Sequence, residues 1–148
     1  MFNAVVKYFG FLKFVPGLPL VFDAWLKLWM VVSKPYVLDW TDLIEKEVLK
    51  WEHTEASTHK YGGLQLNYKG NELGHIHGNG LVDLLLNRKL KELLMNEYEE
   101  VQHHHVFERS GWISLYLQKP DHVRLAIRLF RMAYELHANK AQNNPNIL

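Results

Sequence analysis

Two short segments concentrate the chemistry open to this chain: ELGHIHGNG over residues 72–80 and QHHHVFERSGW over residues 102–112. They carry five of the nine histidines of a protein that has no cysteine. The missing thiols exclude disulfides, thiolate nucleophiles and cysteine-ligated metal centres. On a β-strand, His75 and His77 point to the same face with Cα atoms roughly 7 Å apart. Such a pair can ligate zinc, iron, nickel or copper if a third ligand comes from elsewhere, and His103, His104, His105 and Asp83 are available. Neutral imidazole also serves as a hydrogen-bonding group or a general base. A solvated, histidine-rich sheet face would account for the same residues with no chemistry at all.

Strand parity places Glu72 on the face opposite His75 and His77 unless the chain is bulged at Gly74. It also separates His104 from His103 and His105. Trp112, Ser114 and Tyr116 share one strand face, which could wall a pocket for a flat ligand, although core packing is the commoner reason for such a ladder. Arg124, Arg128 and Arg131, with Glu135 beyond them, read as the solvated side of a helix. No P-loop, dinucleotide fingerprint, nucleophile elbow or HExxH motif occurs. The formal charge of +1 supplies no field for nucleic acid, so none is expected as a partner.

Positioning these residues requires a sheet. GLQLNY, ELGHIH, LVDLLL, VQHHHVF and WISLYLQ have strand character, with KGN and GNG as turns between the first three. Asn87 caps a helix carrying Leu90, Leu93 and Leu94, and Pro120 opens a long final helix. Asp39 is expected to cap an earlier helix bearing Trp40, Leu43, Ile44, Val48 and Trp51. Before it, residues 2–15 and 18–32 form two amphipathic helices broken by PGLP, with more apolar surface than one stripe. Their longest uncharged run, residues 14–22, is too short and proline-broken to span a bilayer, and no export signal is evident. These helices would pack on their own domain, on a second copy, or at a membrane interface. The expected fold is α+β: an antiparallel sheet of about five or six strands with helices on one face, preceded by a helical hairpin. Residues 1–36 are the hairpin, 37–138 the α+β domain and 139–148 a frayed tail.

ELGHIHGNGLVDLLL, the helix after it and HHHVFERSGWISLYLQKPDHVRLAIRLFRMAYEL resemble, in that order, small bacterial luciferase-family domain proteins related to the fungal luciferase. The resemblance covers residues 61–136, and its most specific parts are Gly-His-x-His and the Ser-Gly-Trp strand start. By motif position, Glu72, His75, His77, His104 and Trp112 correspond to family positions. The fungal enzymes carry an amino-terminal hydrophobic segment and act on a flat polyphenol with dioxygen. The resemblance therefore implies a small-molecule pocket and oxygenase-type chemistry on an electron-rich enol or phenol. The expected catalytic residues are His75, His77 and His104, with Glu72, Asp83, Trp112 and Tyr116 against the substrate. Either no cofactor is required, or a divalent metal is held by His75, His77 and His104. The alternatives are a non-catalytic assembly protein, associated with a membrane or with itself through residues 2–32, and a histidine-based metal-binding module. The expected location is the cytoplasm, peripheral to the inner face of the membrane.

Overall fold

The structure, a computed structural model, describes residues 18–143. The helix expected over residues 2–15 and the last five residues lie outside that range. The elements are α1 (Leu18–Ser33), α2 (Tyr36–Val48), β1 (Thr54–Thr58), β2 (Leu64–Tyr68), β3 (Asn71–Ile76) and β4 (Leu81–Leu85). They continue with α3 (Arg88–Glu97), β5 (Val101–His103), β6 (Trp112–Tyr116) and α4 (Pro120–Asn143). The six strands form one antiparallel sheet in the order β1-β2-β3-β4-β6-β5, so the fold is α+β.

Alternation along the strands sorts the sheet into two faces. Leu66, Ile76, Val82, Leu84, Ile113 and Leu115 fill one face and are buried. Helix α4 lies across it through Ala126, Leu129, Phe130 and Ala133, and α2 packs on α4 with Ile44 and Val48 in the same core. The other face carries His75, Asp83, Trp112, Ser114 and Tyr116. Burial of one face fixes the register, because a slip of one residue would send these polar groups into the core.

Several boundaries differ from the sequence expectations. Helix α2 begins at Tyr36 rather than beyond Asp39, because Pro35, already helical at φ −56°, takes the cap position. Asp39 falls within the first turn, where its charge suits the helix dipole. Strand β1, TEAST, has no apolar alternation to announce it; it is an exposed edge strand paired with β2. Helix α4 runs on to Asn143, so the start of the expected tail is helical. The Asn87 cap is formed, its side chain accepting from the Leu90 N–H at 2.8 Å.

Two glycines permit the central hairpins. Lys69 and Gly70, at φ 47° and 75°, make the doubly positive turn that matches strand twist between β2 and β3. At Gly74 a Cβ would collide with the Asp83 carbonyl oxygen and stand 3.2 Å from the Phe130 ring. Its lack of a side chain lets β3 approach both β4 and α4.

Candidate functional site

Across the face away from α4, Gln65 pairs with His75, His75 with Asp83, and Asp83 with Ser114. Opposed residues on antiparallel strands project to the same side, so a polar row crosses four strands. Asp83 is its centre and is 0% exposed. The Ser114 hydroxyl donates to Asp83 Oδ1. The other oxygen, Oδ2, is faced by the Nε2 atoms of His77 at 3.2 Å, His75 at 3.5 Å and His104 at 3.7 Å. Burial by itself would raise the Asp83 pKa, but the hydrogen bonds from His77 and Ser114 and the neighbouring imidazoles outweigh it and hold the carboxyl below its ordinary value. Among the described residues, no lysine or arginine forms an ion pair with Asp83.

Glu72 joins this site through a bulge. Leu66 pairs with Gly74 but Asn67 with Glu72, so Leu73 is an extra residue in β3. The parity that separated Glu72 from His75 is thereby reversed, and Glu72 Oε1 lies 2.6 Å from His75 Nδ1. Burial tends to raise the Glu72 pKa, yet the His75 hydrogen bond and charge lower it overall. The carboxylate is thus an acceptor and the His75 proton resides on Nδ1. This turns the Nε2 edge of His75 toward Asp83.

The remaining rings are held in the opposite sense. His104 Nδ1 accepts from the backbone N–H groups of Val106 at 3.1 Å and Phe107 at 3.2 Å, placing its proton on Nε2. Burial lowers its pKa to about 4. His59, which the motifs did not single out, stacks on His75 with centroids 3.9 Å apart and rings within 6° of parallel. Its Nδ1 accepts from the Tyr61 N–H at 3.4 Å, and burial, then the charge of His75, lowers its pKa to about 4. His105 stacks on His104 at 4.5 Å, whereas His103 is exposed on the strand face opposite the row.

Trp112 closes the row, its ring 5.6 Å from His75 and 5.7 Å from His104. Tyr116 lies on the same strand face, and burial pushes its phenol pKa up, with the Asp83 charge adding to the effect. The segment after His104 is pinned by Lys91, a buried residue whose ammonium donates to the carbonyls of Glu108 at 2.7 Å and Ser110 at 3.2 Å. A cleft of about 610 Å³ lies between α2 and the β1–β2 edge, on the helix-covered side of the sheet rather than on the face of the row; Leu38, Thr41, Leu64, Ile76 and His77 are among its lining. His77 is the member of the imidazole cluster that meets it.

The expected residues His75, His77, Asp83 and His104 therefore converge, Glu72 and Trp112 contact the cluster, and Tyr116 shares their face. His59 and the Ser114 hydroxyl join them. No motif marked His59; its stacking on His75 depends on the pairing of β2 with β3, which brings together residues from separate segments.

The family model for the Luciferase domain matches residues 70–133. That span runs from the turn before β3 into α4 and contains every member of the cluster except His59. No curated protein and no solved structure matches the chain. Residues 70–133 are thus similar to the Luciferase domain, and in this α+β architecture they carry a buried imidazole–carboxylate site.

Proposed function

We propose that the chain is an oxygen-using enzyme acting on an electron-rich enol or phenol at the Asp83 cluster. The observation that carries this reading is a fully buried carboxylate whose Oδ2 faces three imidazole nitrogens within 3.7 Å, inside the Luciferase-domain match. Ionisable groups held in such surroundings are characteristic of catalytic centres. The substrate is flat enough to stand against Trp112 and Tyr116, on the sheet face that carries the cluster. An imidazole backed by Asp83 takes its acidic proton. The anion's carbon then forms a bond to dioxygen, the oxygen is reduced to the peroxide level at the expense of that carbon, and the proton returns to the peroxide.

The test is oxygen uptake by the purified full-length chain over a panel of hydroxypyrones and polyphenols. Uptake dependent on substrate and lost in His77→Ala, with the circular dichroism spectrum retained, is the expected result. No uptake with any member of the panel, or undiminished uptake by His77→Ala, would reject the reading.

Helix α1 favours a second, compatible reading. Trp25 and Trp29 stack at 6.4 Å and are each 54% exposed, and Val21, Leu28, Val31 and Val32 are exposed beside them. None of the described helices is long and apolar enough to cross a membrane. With indole rings and aliphatic side chains on a short helix, α1 suits the headgroup boundary of a lipid surface.

A further inference from the structure

The geometry points to a divalent transition-metal site made by His75 Nε2, His77 Nε2 and Asp83 Oδ2, with Glu72 orienting His75. The inference rests on reading the Asp83 cluster as the functional centre; in place of a bare imidazole base, a bound metal would lower the substrate's pKa, so that its proton passes to water and the anion is held.

Three observations carry it. First, the ligand atoms are spaced as a metal's coordination edge requires. Bonds of about 2.1 Å put neighbouring ligand atoms about 3.0 Å apart in an octahedron and about 3.4 Å apart in a tetrahedron. Asp83 Oδ2 lies 3.2 Å from His77 Nε2 and 3.5 Å from His75 Nε2, and the three residues can each offer a ligand atom within 4.8 Å of the other two.

Second, the contact between His75 Nε2 and Asp83 Oδ2 calls for a positive charge, either a proton or a metal ion. The ionised Glu72 fixes the His75 proton on Nδ1, so His75 Nε2 and Asp83 Oδ2 are two acceptors facing each other unless a positive charge lies between them. Asp83 is fully buried, and its compensation comes from Ser114 and the imidazoles rather than from a lysine or arginine among the described residues, which leaves Oδ2 open to a metal ion.

Third, the Glu72–His75 contact is the carboxylate–imidazole arrangement that fixes the tautomer and raises the basicity of a metal-ligating histidine. The neighbouring rings lack it. His104 and His59 each spend Nδ1 as an acceptor of backbone N–H bonds, which leaves Nε2 protonated and unable to ligate. His104, expected among the ligands, is thus a donor toward Asp83, and Asp83 takes its place in the set. The second acidic cluster, His59, Glu72 and His75, fails for the same reason at His59.

Two imidazoles and one carboxylate favour a first-row transition ion such as Fe²⁺ or Zn²⁺ over Mg²⁺ or Ca²⁺, and leave coordination positions open. Those positions would take an enolate or phenolate oxygen.

The experiment is elemental analysis of untagged full-length protein, followed by titration of chelator-stripped protein with Zn²⁺ and, anaerobically, Fe²⁺. About one ion per chain is expected. His77→Ala and Asp83→Asn should lower affinity at least about 100-fold, and Glu72→Gln about 10- to 100-fold. His104→Asn, whose amide oxygen can accept the same two backbone bonds, should retain stoichiometric metal. Protein that neither holds nor rebinds either ion would overturn the inference and leave a proton on His75 Nε2 as the bridging charge. Binding that survives both His77→Ala and Asp83→Asn would overturn the ligand set. Oxygen uptake separates the two proposals. Full turnover by stripped protein rejects the metal and keeps the reaction, whereas stoichiometric metal without turnover keeps the metal and rejects the reaction.

Discussion

At the scale of single residues, Asp83 sets the terms of the site because a carboxylate cut off from water must be compensated by its neighbours. Ser114 supplies one donor directly. Ser114→Ala should therefore destabilise the fold by about 1–3 kcal/mol, the cost of leaving a buried acceptor short of its partner, as read from urea unfolding; a neutral result would show that Ser114 is dispensable to Asp83. The lowered histidines make acid another probe. In the unfolded chain His59 and His104 titrate near the ordinary 6.5, whereas burial holds both near 4 in the folded state. Between these values the unfolded chain binds more protons, so stability should be fully present above pH 6.5 and fall as the pH drops toward 4. Thermal melts of chelator-treated protein across that window check the slope, and His104→Asn should flatten it. A slope of the opposite sign would mean that these rings are stabilised in their charged form.

At the scale of elements, the bulge at Leu73 and the close approach at Gly74 matter more than any intrinsic strand preference. Together they bring Glu72 onto the face of His75 and set β3 tight against β4. In Gly74→Ala the new methyl group would push against the Asp83 backbone and the Phe130 ring and force both away. It should cost about 1–3 kcal/mol as an overpacked contact, and should also weaken the proposed metal binding because the same shift moves His75 from Asp83. Normal stability and binding in that variant would show that the hairpin can open without disturbing the site. Lys91 acts at the same scale from α3: its buried ammonium ties down the segment that presents His104 and Phe107. Lys91→Met keeps the stem's packing but leaves two carbonyls without their donor, so it should lower stability and raise amide exchange in residues 104–111, with α4 unaffected. Protection spread evenly over both regions would argue against a local tether.

For the whole molecule, α1 and the α+β unit have separable roles. Helix α1 packs against α2, whereas the core cluster is built from α2, the sheet and α4. A chain beginning at Lys34 should keep its cooperative unfolding and lose flotation with anionic liposomes that the full-length chain retains; equal flotation of both would remove α1 from any membrane role. Much of this plan is readable along the chain. Alternation in LQLNY and WISLY requires strands with one buried face, and Asn87 and Pro120 mark where helices begin. The motifs also single out His75, His77, His104, Asp83 and Trp112, because local pattern encodes which face a side chain takes. It does not encode which strands become neighbours. The pairing of β4 with β6, which joins Asp83 to Ser114, spans the whole of α3 and β5, and the bulge that recruits Glu72 is a mismatch between two strands rather than a property of either. Tertiary structure also decided which nitrogen of His59, His75 and His104 carries the proton, since the tautomer follows from the hydrogen bonds made by the other nitrogen. That choice separates His75, whose Nδ1 faces Glu72, from His59 and His104, whose Nδ1 atoms accept backbone N–H bonds, although all three are the same residue type in the sequence.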